Sequence, residues 1–283
     1  PERLAAERVE ADTLIAVLVR VHPHDAKTYS LQGDFLNRDK KSTEAREAFR
    51  KAIALDKTRY PIWQEVMVLD EIMNDFDAME ADSRQAMELF PSEPYSYIFN
   101  ASANYQKKNY KQAIEVANAG KDYVAGDKKL LAQFFSVLGD CYNSLKEYKS
   151  SDESYDKSIN LDSDNANVMN NWAYYLSLRN ENLDKAEKMG RKANQLVKDN
   201  SSYEDTYAWV LYKQKQYEEA KKWIEKALEH GGEKNGVILE HYGDLFFQLG
   251  QTEKAFEYWK KAKAAGKHSD LLDKKIADKK MYE

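Results

Sequence analysis

The chain has 283 residues, a formal net charge of −5 and one cysteine, Cys141. The acidic balance, with both signs interspersed, gives no electrostatic reason to expect a nucleic-acid partner, and a single cysteine excludes an intramolecular disulfide. The longest strongly apolar run, residues 14–19, is far shorter than the ~20 residues that a membrane-spanning helix needs. We therefore expect no direct membrane insertion in this segment.

Composition and periodicity both favour a helical repeat fold. The chain contains only 5 Pro and 11 Gly, while its many Lys, Glu and Ala residues are good helix formers. The pair Tyr207–Ala208 recurs as Tyr242–Gly243. The alanine that follows, Ala220, recurs at the same interval as Ala255. A self-similar pattern of this length is typical of stacked repeats, in which each repeat packs only against its neighbours.

When the rest of the chain is phased against this pair, seven complete repeats of two amphipathic helices each are predicted. Their boundaries are 26–59, 60–93, 94–131, 132–165, 166–200, 201–235 and 236–269. In the first repeat, Tyr29, Gly33 and Leu36 recur at helical spacing, so they share one face of the first helix. We expect the small Gly33 to let the two helices approach closely and Phe49 of the second helix to fill the space beside it.

The two ends of the chain follow the same phase. Residues 1–25 carry Ala11 and Ile15 at second-helix positions, so we expect a partial repeat there and a chain that begins inside a repeat. Residues 270–283 follow a good N-cap residue, Ser269, and combine a few aliphatic residues with many Lys and Asp. This composition predicts a solvent-facing C-terminal capping helix.

The order of residues within a repeat is aromatic, Leu-Gly, Tyr, Ala, Phe and Ala, with a closing proline. Phe135, Leu138–Gly139 and Tyr142 show its first half in the fourth repeat, and Pro91 closes the second. This pattern resembles the tetratricopeptide repeat over residues 26–269. The resemblance implies an all-α fold, a right-handed α-solenoid of stacked helix-turn-helix repeats, and a non-catalytic scaffold for protein–protein interaction.

Some features depart from the family pattern or refine it. Ser151 and Ser158 stand at two positions where the family has alanine, which leaves the local packing of the fourth repeat open. Repeats 201–235 and 236–269, with the Lys-rich ending, are similar to tetratricopeptide proteins of the bacterial cell envelope. We therefore expect a periplasmic or cell-envelope location, with any signal or anchor outside this sequence.

No motif for catalysis or cofactor binding is complete. Gly231 and Gly236 have the spacing of a phosphate-binding loop, but Val237 follows where lysine is required. A nucleophilic Cys141 would need an activating base, and the neighbouring repeats contain no histidine. We therefore expect no enzyme activity, no catalytic residue and no cofactor.

Candidate metal ligands are few. Residues 22–25 contain two histidines and an aspartate, but a site needs three or four converging ligands. Residues 162–173 begin like a calcium loop and lack its glycine and its final glutamate. Glu240, His241 and Asp244 lie within one turn, and we interpret them as a solvated helix face rather than an acid–base group. We expect no metal site.

The resemblance implies that the first helix of each repeat lines a concave face that receives a partner peptide or helix. The phase places eleven candidate partner-binding side chains there: Phe99, Tyr105, Asn143, Asn170, Asn171, Tyr174, Asp205, Trp209, Tyr212, Asp244 and Phe247. We interpret those of the last two repeats as side chains that packing does not need. The alternative is that several of the aromatic residues only pack between neighbouring first helices.

The charge of the candidate face points to a class of partner. Family members that hold a chaperone C-terminal carboxylate use Lys and Asn at fixed positions of the first helix, where this chain has pairs such as Ser136 and Asp140. We therefore expect a neutral or basic partner segment. Two other functions stay open: a regulatory or substrate-positioning part of a longer enzyme or sensor, and a self-assembling structural spacer.

Overall fold

The computed structural model describes residues 2–266 and 268–282, with side chains from residue 11 onward. Pro1 and Glu283, the outermost residues of the predicted partial repeat and of the predicted cap, lie outside the described residues, as does Lys267. Every regular element in the described ranges is helical, so the predicted all-α class is confirmed. None of these helices is both long enough and apolar enough to cross a bilayer.

Within the described residues the chain forms sixteen α-helices and one 3-10 turn, Gly232–Lys234. In chain order the α-helices are α1 (Glu2–Val21), α2 (Ala26–Arg38), α3 (Ser42–Leu55), α4 (Tyr60–Ile72), α5 (Phe76–Leu89), α6 (Pro94–Gln106), α7 (Tyr110–Lys121), α8 (Lys128–Ser144), α9 (Tyr148–Leu161), α10 (Ala166–Arg179), α11 (Leu183–Leu196), α12 (Ser201–Lys213), α13 (Tyr217–Glu229), α14 (Gly236–Gln248), α15 (Thr252–Ala265) and α16 (Leu272–Asp278).

The helix bounds differ from the predicted ones at two places. The C-terminal cap helix covers only Leu272–Asp278 instead of 270–283, and Leu271 rather than Ser269 stands at its N-cap. Helix α8 begins at Lys128, before the boundary predicted at 132. Asp127 causes this early start, because its side chain accepts a hydrogen bond from the Leu130 backbone and caps the helix. The extra residues of the third repeat are therefore shared between the loop and a longer α8, instead of lying in the loop alone.

Short polar side chains also begin other helices. Asp25 accepts a hydrogen bond from the Lys27 backbone at the start of α2, and Asn165 accepts one from the Val168 backbone at the start of α10. Both residues belong to segments whose composition suggested weak metal-binding motifs. Their polar side chains satisfy the free N–H groups of helix N-termini, which accounts for Asp and Asn at these turns.

The turn inside each repeat has one backbone conformation in common. A residue in the left-handed region follows each first helix, for example Lys40 with φ 60° and Gly250 with φ 73°. Beyond α2, the Lys41 N–H donates to the Leu36 carbonyl at 2.9 Å. This bond closes the last turn of the helix and reverses the chain, so the second helix returns beside the first.

The chain divides into two compact units, residues 1–161 and residues 162–283. In the first, named here the N-terminal unit, α4 and α6 contact each other, as do α6 and α8. In the second, named here the C-terminal unit, α12 contacts both α10 and α14. First helices thus contact each other as well as their own second helices. We call the side that they line the inner face of each unit.

Glycines on first helices let aromatic residues of the second helices come close. A Cβ atom added to Gly33 would lie 2.6 Å from the Phe49 ring, and one added to Gly139 would lie 2.9 Å from the Tyr155 ring. Both rings are at most 1% exposed. The predicted close approach at Gly33, with Phe49 beside it, is confirmed. The aromatic ring occupies the space where a side chain would otherwise stand.

The two serines at alanine positions of the fourth repeat are also buried. Ser151 donates its hydroxyl to the Gly139 carbonyl at 2.8 Å, and Ser158 donates to the Ala132 carbonyl at 2.7 Å. Both side chains on α9 thus bind the backbone of α8. A serine fits here because it is nearly as small as alanine and its hydroxyl has an acceptor.

We expect Gly243→Ala to lower the free energy of unfolding by about 1–3 kcal/mol, the usual effect of overpacking a core. Its Cβ would lie 2.4 Å from Trp259, which cannot easily move because its Nε1 donates to Asp244. Gly190→Ala is the matched control, because its Cβ would come no closer than 3.0 Å to Tyr207 Cδ2, and its other contacts, at 3.5 Å, are ordinary. Urea denaturation followed by circular dichroism compares the two. Equal midpoints for wild type and Gly243→Ala would contradict the close-approach argument.

Candidate functional site

The predicted partner-binding residues of the N-terminal unit are only partly accessible. Phe99 is buried in the hydrophobic core of that unit, with 9% of its surface exposed. Tyr105 and Asn143 are half-buried, and the Tyr105 ring lies 5.7 Å from the ring of Tyr110. Phe99 therefore contributes mainly to packing.

The predicted residues of the last two repeats are more deeply buried than expected. Asp205, Trp209, Tyr212 and Asp244 are each at most 6% exposed. The Trp209 ring stacks between the rings of Tyr212 at 4.5 Å and His241 at 3.9 Å. The interpretation that these side chains are not needed for packing is therefore wrong, because they form the contact between α12 and α14. Phe247 is half-buried on Trp259.

A buried polar pair joins the same two helices. His241 Nδ1 of α14 lies 2.9 Å from Asp205 Oδ1 of α12. Burial alone would lower the pKa of His241, but the charge and hydrogen bond of Asp205, with the charges of Asp244 and Glu240 nearby, raise it above its usual value. Glu240, His241 and Asp244 are all under 9% exposed, so the interpretation of a solvated face is wrong.

A lysine of the C-terminal helix neutralises two of these acids. Lys275 Nζ of α16 lies 2.8 Å from Glu240 Oε1 and 2.7 Å from Asp244 Oδ2. Burial would raise the pKa of Glu240, but hydrogen bonds from Lys275 and Ser269 lower it. Burial raises the pKa of Asp244 to about 6, although Lys275 opposes the rise. The ammonium thus provides the main compensation for two buried carboxylates.

A pocket of about 390 Å³ opens on the inner face of the C-terminal unit beside these groups. Aromatic and aliphatic side chains form its walls, including Tyr174, Trp209 and Leu178, and the carboxylates of Glu240 and Asp244 border it. Of the predicted site residues, Tyr174, Trp209 and Asp244 are brought together here. Burial, with the charges of Asp205 and Glu240, raises the pKa of Tyr174 to about 12, so its hydroxyl stays protonated.

Two buried polar atoms on this face have no hydrogen-bond partner among the described residues. They are Oδ1 of Asn170 on α10 and Nε1 of Trp209 on α12. The amide nitrogen of Asn170 reaches only Asn171 Oδ1, at 3.5 Å. One atom is an acceptor and the other a donor, and they lie on helices that contact each other.

The N-terminal unit has a larger and more open pocket, of about 900 Å³, between α5, α6 and α7. Two of its asparagines are buried and bind within the fold. Asn100 Nδ2 donates to Ser83 Oγ at 2.9 Å, and Asn104 Nδ2 donates to Asn100 Oδ1 at 3.0 Å. Asn100 thus bonds to the preceding second helix, α5, and Asn104 bonds to Asn100 within α6. Sequence phasing missed both residues, and Asn100 is part of the packing between repeats.

Three possible metal ligands from separate elements also come together. Asp199, Glu204 and His230 each place one ligand atom within 4.8 Å of the others. His230 Nδ1 lies 2.8 Å from both carboxylate oxygens of Glu204, and this bond raises the pKa of His230 above its usual value. The group is a pair of His230 with Glu204, and Asp199 lies 3.5 Å from the other ring nitrogen of His230. Sequence spacing missed it because the residues lie before, in and after the sixth helix pair, α12 and α13.

Comparison with known proteins identifies the repeats. The family model described as tetratricopeptide repeat matches residues 26–59, 132–165 and 206–229. No curated protein sequence matches the chain.

Solved structures resemble the whole chain at low sequence identity. The APC/C hetero-tetramer Cut9–Hcn1 matches with a TM-score of 0.74 and 11% identity over 97% of this chain, which spans 53% of that protein. A tetratricopeptide repeat protein from Parabacteroides merdae matches with a TM-score of 0.68 and 13% identity, over 90% of this chain and 98% of that one. Pseudomonas aeruginosa pilF matches with a TM-score of 0.55 and 22% identity, over 65% and 83%.

The matched repeats, the paired helices and the close fit to solved structures of this fold agree with one another. The fold is an α-solenoid of paired helices. Three segments of the chain match the tetratricopeptide repeat, and the chain has the fold of solved tetratricopeptide repeat structures.

Proposed function

We propose that the chain is a protein–protein interaction scaffold that binds an extended partner segment on the inner face of its C-terminal unit. The observation that carries this proposal is the pair of unpartnered buried atoms, Asn170 Oδ1 and Trp209 Nε1. A buried donor or acceptor without a partner costs roughly 1–3 kcal/mol. An extended backbone carries both an N–H for the asparagine and a carbonyl for the tryptophan, so a partner that opens this face enough to reach the two atoms would satisfy them.

The neighbouring pocket supports the same partner. The half-buried ring of Tyr174 and the exposed side chain of Leu178, one turn further along α10, form an apolar wall. A pocket of about 390 Å³ accepts one or two side chains of a partner segment. Aromatic walls give a large contact area at low entropic cost, as at many interface hot spots.

The charges around the pocket favour a neutral or basic partner. Asp205, Glu240 and Asp244 contribute three carboxylates to this cluster, and even with Lys275 and His241 both charged the carboxylates outnumber the cations. An acidic segment would approach a cluster with a residual negative charge. Complementary charge steers binding and excludes partners of the wrong sign.

We expect Trp209→Phe to weaken partner binding by about tenfold, or ~1.4 kcal/mol. Phenylalanine keeps one six-membered ring in the stack and loses the rest of the indole with its N–H. The missing ring atoms leave a cavity that lowers the free energy of unfolding, whereas loss of the N–H itself breaks no hydrogen bond among the described residues of the free protein. Truncation to alanine is less informative, since it would also remove the buried ring.

The measurement is isothermal titration calorimetry with a partner segment recovered by pull-down. The matched control is Trp223→Phe on α13, where the ring is half-buried against Tyr207. The control should leave affinity unchanged. If Trp209→Phe binds as tightly as wild type, the partner does not use this indole and the proposal fails.

We also expect the Asp205–His241 pair to make the stability of the C-terminal unit depend on pH. The pKa of His241 is higher in the folded state than its ordinary value of 6.5. The stability that protonated His241 contributes is therefore fully present below pH 6.5 and is lost as pH rises through the folded-state pKa. Urea denaturation of wild type and His241→Gln between pH 6 and pH 9 should show a difference that shrinks as pH rises. A constant difference would contradict the charged pair.

A further inference from the structure

The inner face of the C-terminal unit contains a binding site for a primary ammonium group. Glu240 and Asp244 lie one turn apart on α14 and are 3% and 1% exposed. The ammonium of Lys275 contacts Glu240 Oε1 at 2.8 Å and the two oxygens of Asp244 at 2.8 and 2.7 Å. Three oxygens around one nitrogen suit the three donors of a lysine ammonium better than the planar fork of arginine.

The segment that supplies this lysine is held by contacts of its side chains with the rest of the unit. Helix α16 has seven residues, of which Leu272 and Lys275 are buried. Ile276 and Met281 pack against the hydrophobic core of the C-terminal unit, and the exposed Asp273 pairs with Lys263 at 2.7 Å. A helix this short is not stable in isolation, so its position depends on these contacts and on the turn before it.

The same segment also forms one wall of the pocket. His268, Ser269, Leu271, Met281 and Tyr282 line it from the C-terminal side, opposite Tyr174 and Trp209 of α10 and α12. Movement of residues 268–282 would therefore widen the proposed partner groove. It would also leave Glu240 and Asp244 without the ammonium that compensates their charge, which strongly opposes movement unless another cation replaces it.

We propose that Glu240 and Asp244 form a lysine-binding site, occupied by Lys275 in the free protein, which a lysine of the partner segment enters by exchange. The inference rests on the proposed function for the position of the partner and extends it by naming one side chain of that partner. A partner with lysine can displace Lys275 and still compensate the two buried carboxylates, whereas a partner without a cation can bind only while Lys275 stays in place.

The exchange is tested with a synthetic peptide of residues 268–282, titrated into full-length variants by calorimetry. The peptide should bind Lys275→Met at least tenfold more tightly than wild type, because the internal ammonium no longer competes. A peptide that itself carries Lys275→Met should bind neither protein. Lys274→Met is the matched control, since Lys274 is exposed and contacts only the ring of Tyr282 among the described residues, at 4.2 Å; it should behave as wild type.

A second variant covers the case in which Lys275→Met fails to fold. Lys275→Arg keeps the positive charge but fits the three oxygens less well, so the lysine peptide should bind it more tightly than wild type. Equal binding of the lysine and methionine peptides to either variant would overturn the lysine site. This test needs no natural partner. If the peptide exchanges as expected but Trp209→Phe binds the partner as tightly as wild type, only the proposed function is wrong. If Trp209→Phe weakens partner binding but the peptide does not exchange, only the lysine site is wrong.

Discussion

The fold depends on the close approach of the two helices within a repeat. Where a first helix has glycine, the facing aromatic ring occupies the space that a side chain would take, as Phe49 does at Gly33 and Trp259 does at Gly243. Each pair then buries an apolar seam that neither helix could bury alone. The close approach of the two helices also determines the inner face, because the distance between successive helix pairs decides which residues of neighbouring first helices contact each other.

In the C-terminal unit, successive first helices meet through polar groups as well as apolar ones. Asp205 of α12 binds His241 of α14, and Glu240 and Asp244 of α14 bind Lys275 of α16. Each contact joins residues about one repeat apart, so the pairing recurs along the stack. The Asp205–His241 bond holds the His241 ring against Trp209 at the floor of the proposed groove.

Much of the fold, and less of the site, could be predicted from the sequence. The recurrence of small and aromatic residues was enough to predict the helix pairs and the contact of Gly33 with Phe49. The position of a residue within the repeat shows that it lies on the inner face, but not whether it contacts solvent or the next first helix. For this reason the sequence predicted Asp205, Trp209 and Asp244 to lie at the surface. The sequence did contain one signal for these contacts. Asp205, Glu240 and Lys275 are equally spaced along the chain, so an acid, an acid and a lysine occupy equivalent positions of successive repeats.

The inner face of the C-terminal unit holds Trp209 Nε1 buried and without a hydrogen-bond partner among the described residues, and we propose that a partner backbone carbonyl accepts from it. The indole N–H signals of the five tryptophans can be followed by ¹H–¹⁵N NMR as a partner segment is added. The proposed hydrogen bond predicts a downfield shift for Trp209, while Trp259, already bonded to Asp244, and Trp63, already bonded to the Lys57 carbonyl, stay in place. An unchanged Trp209 signal at saturation would contradict the proposed hydrogen bond.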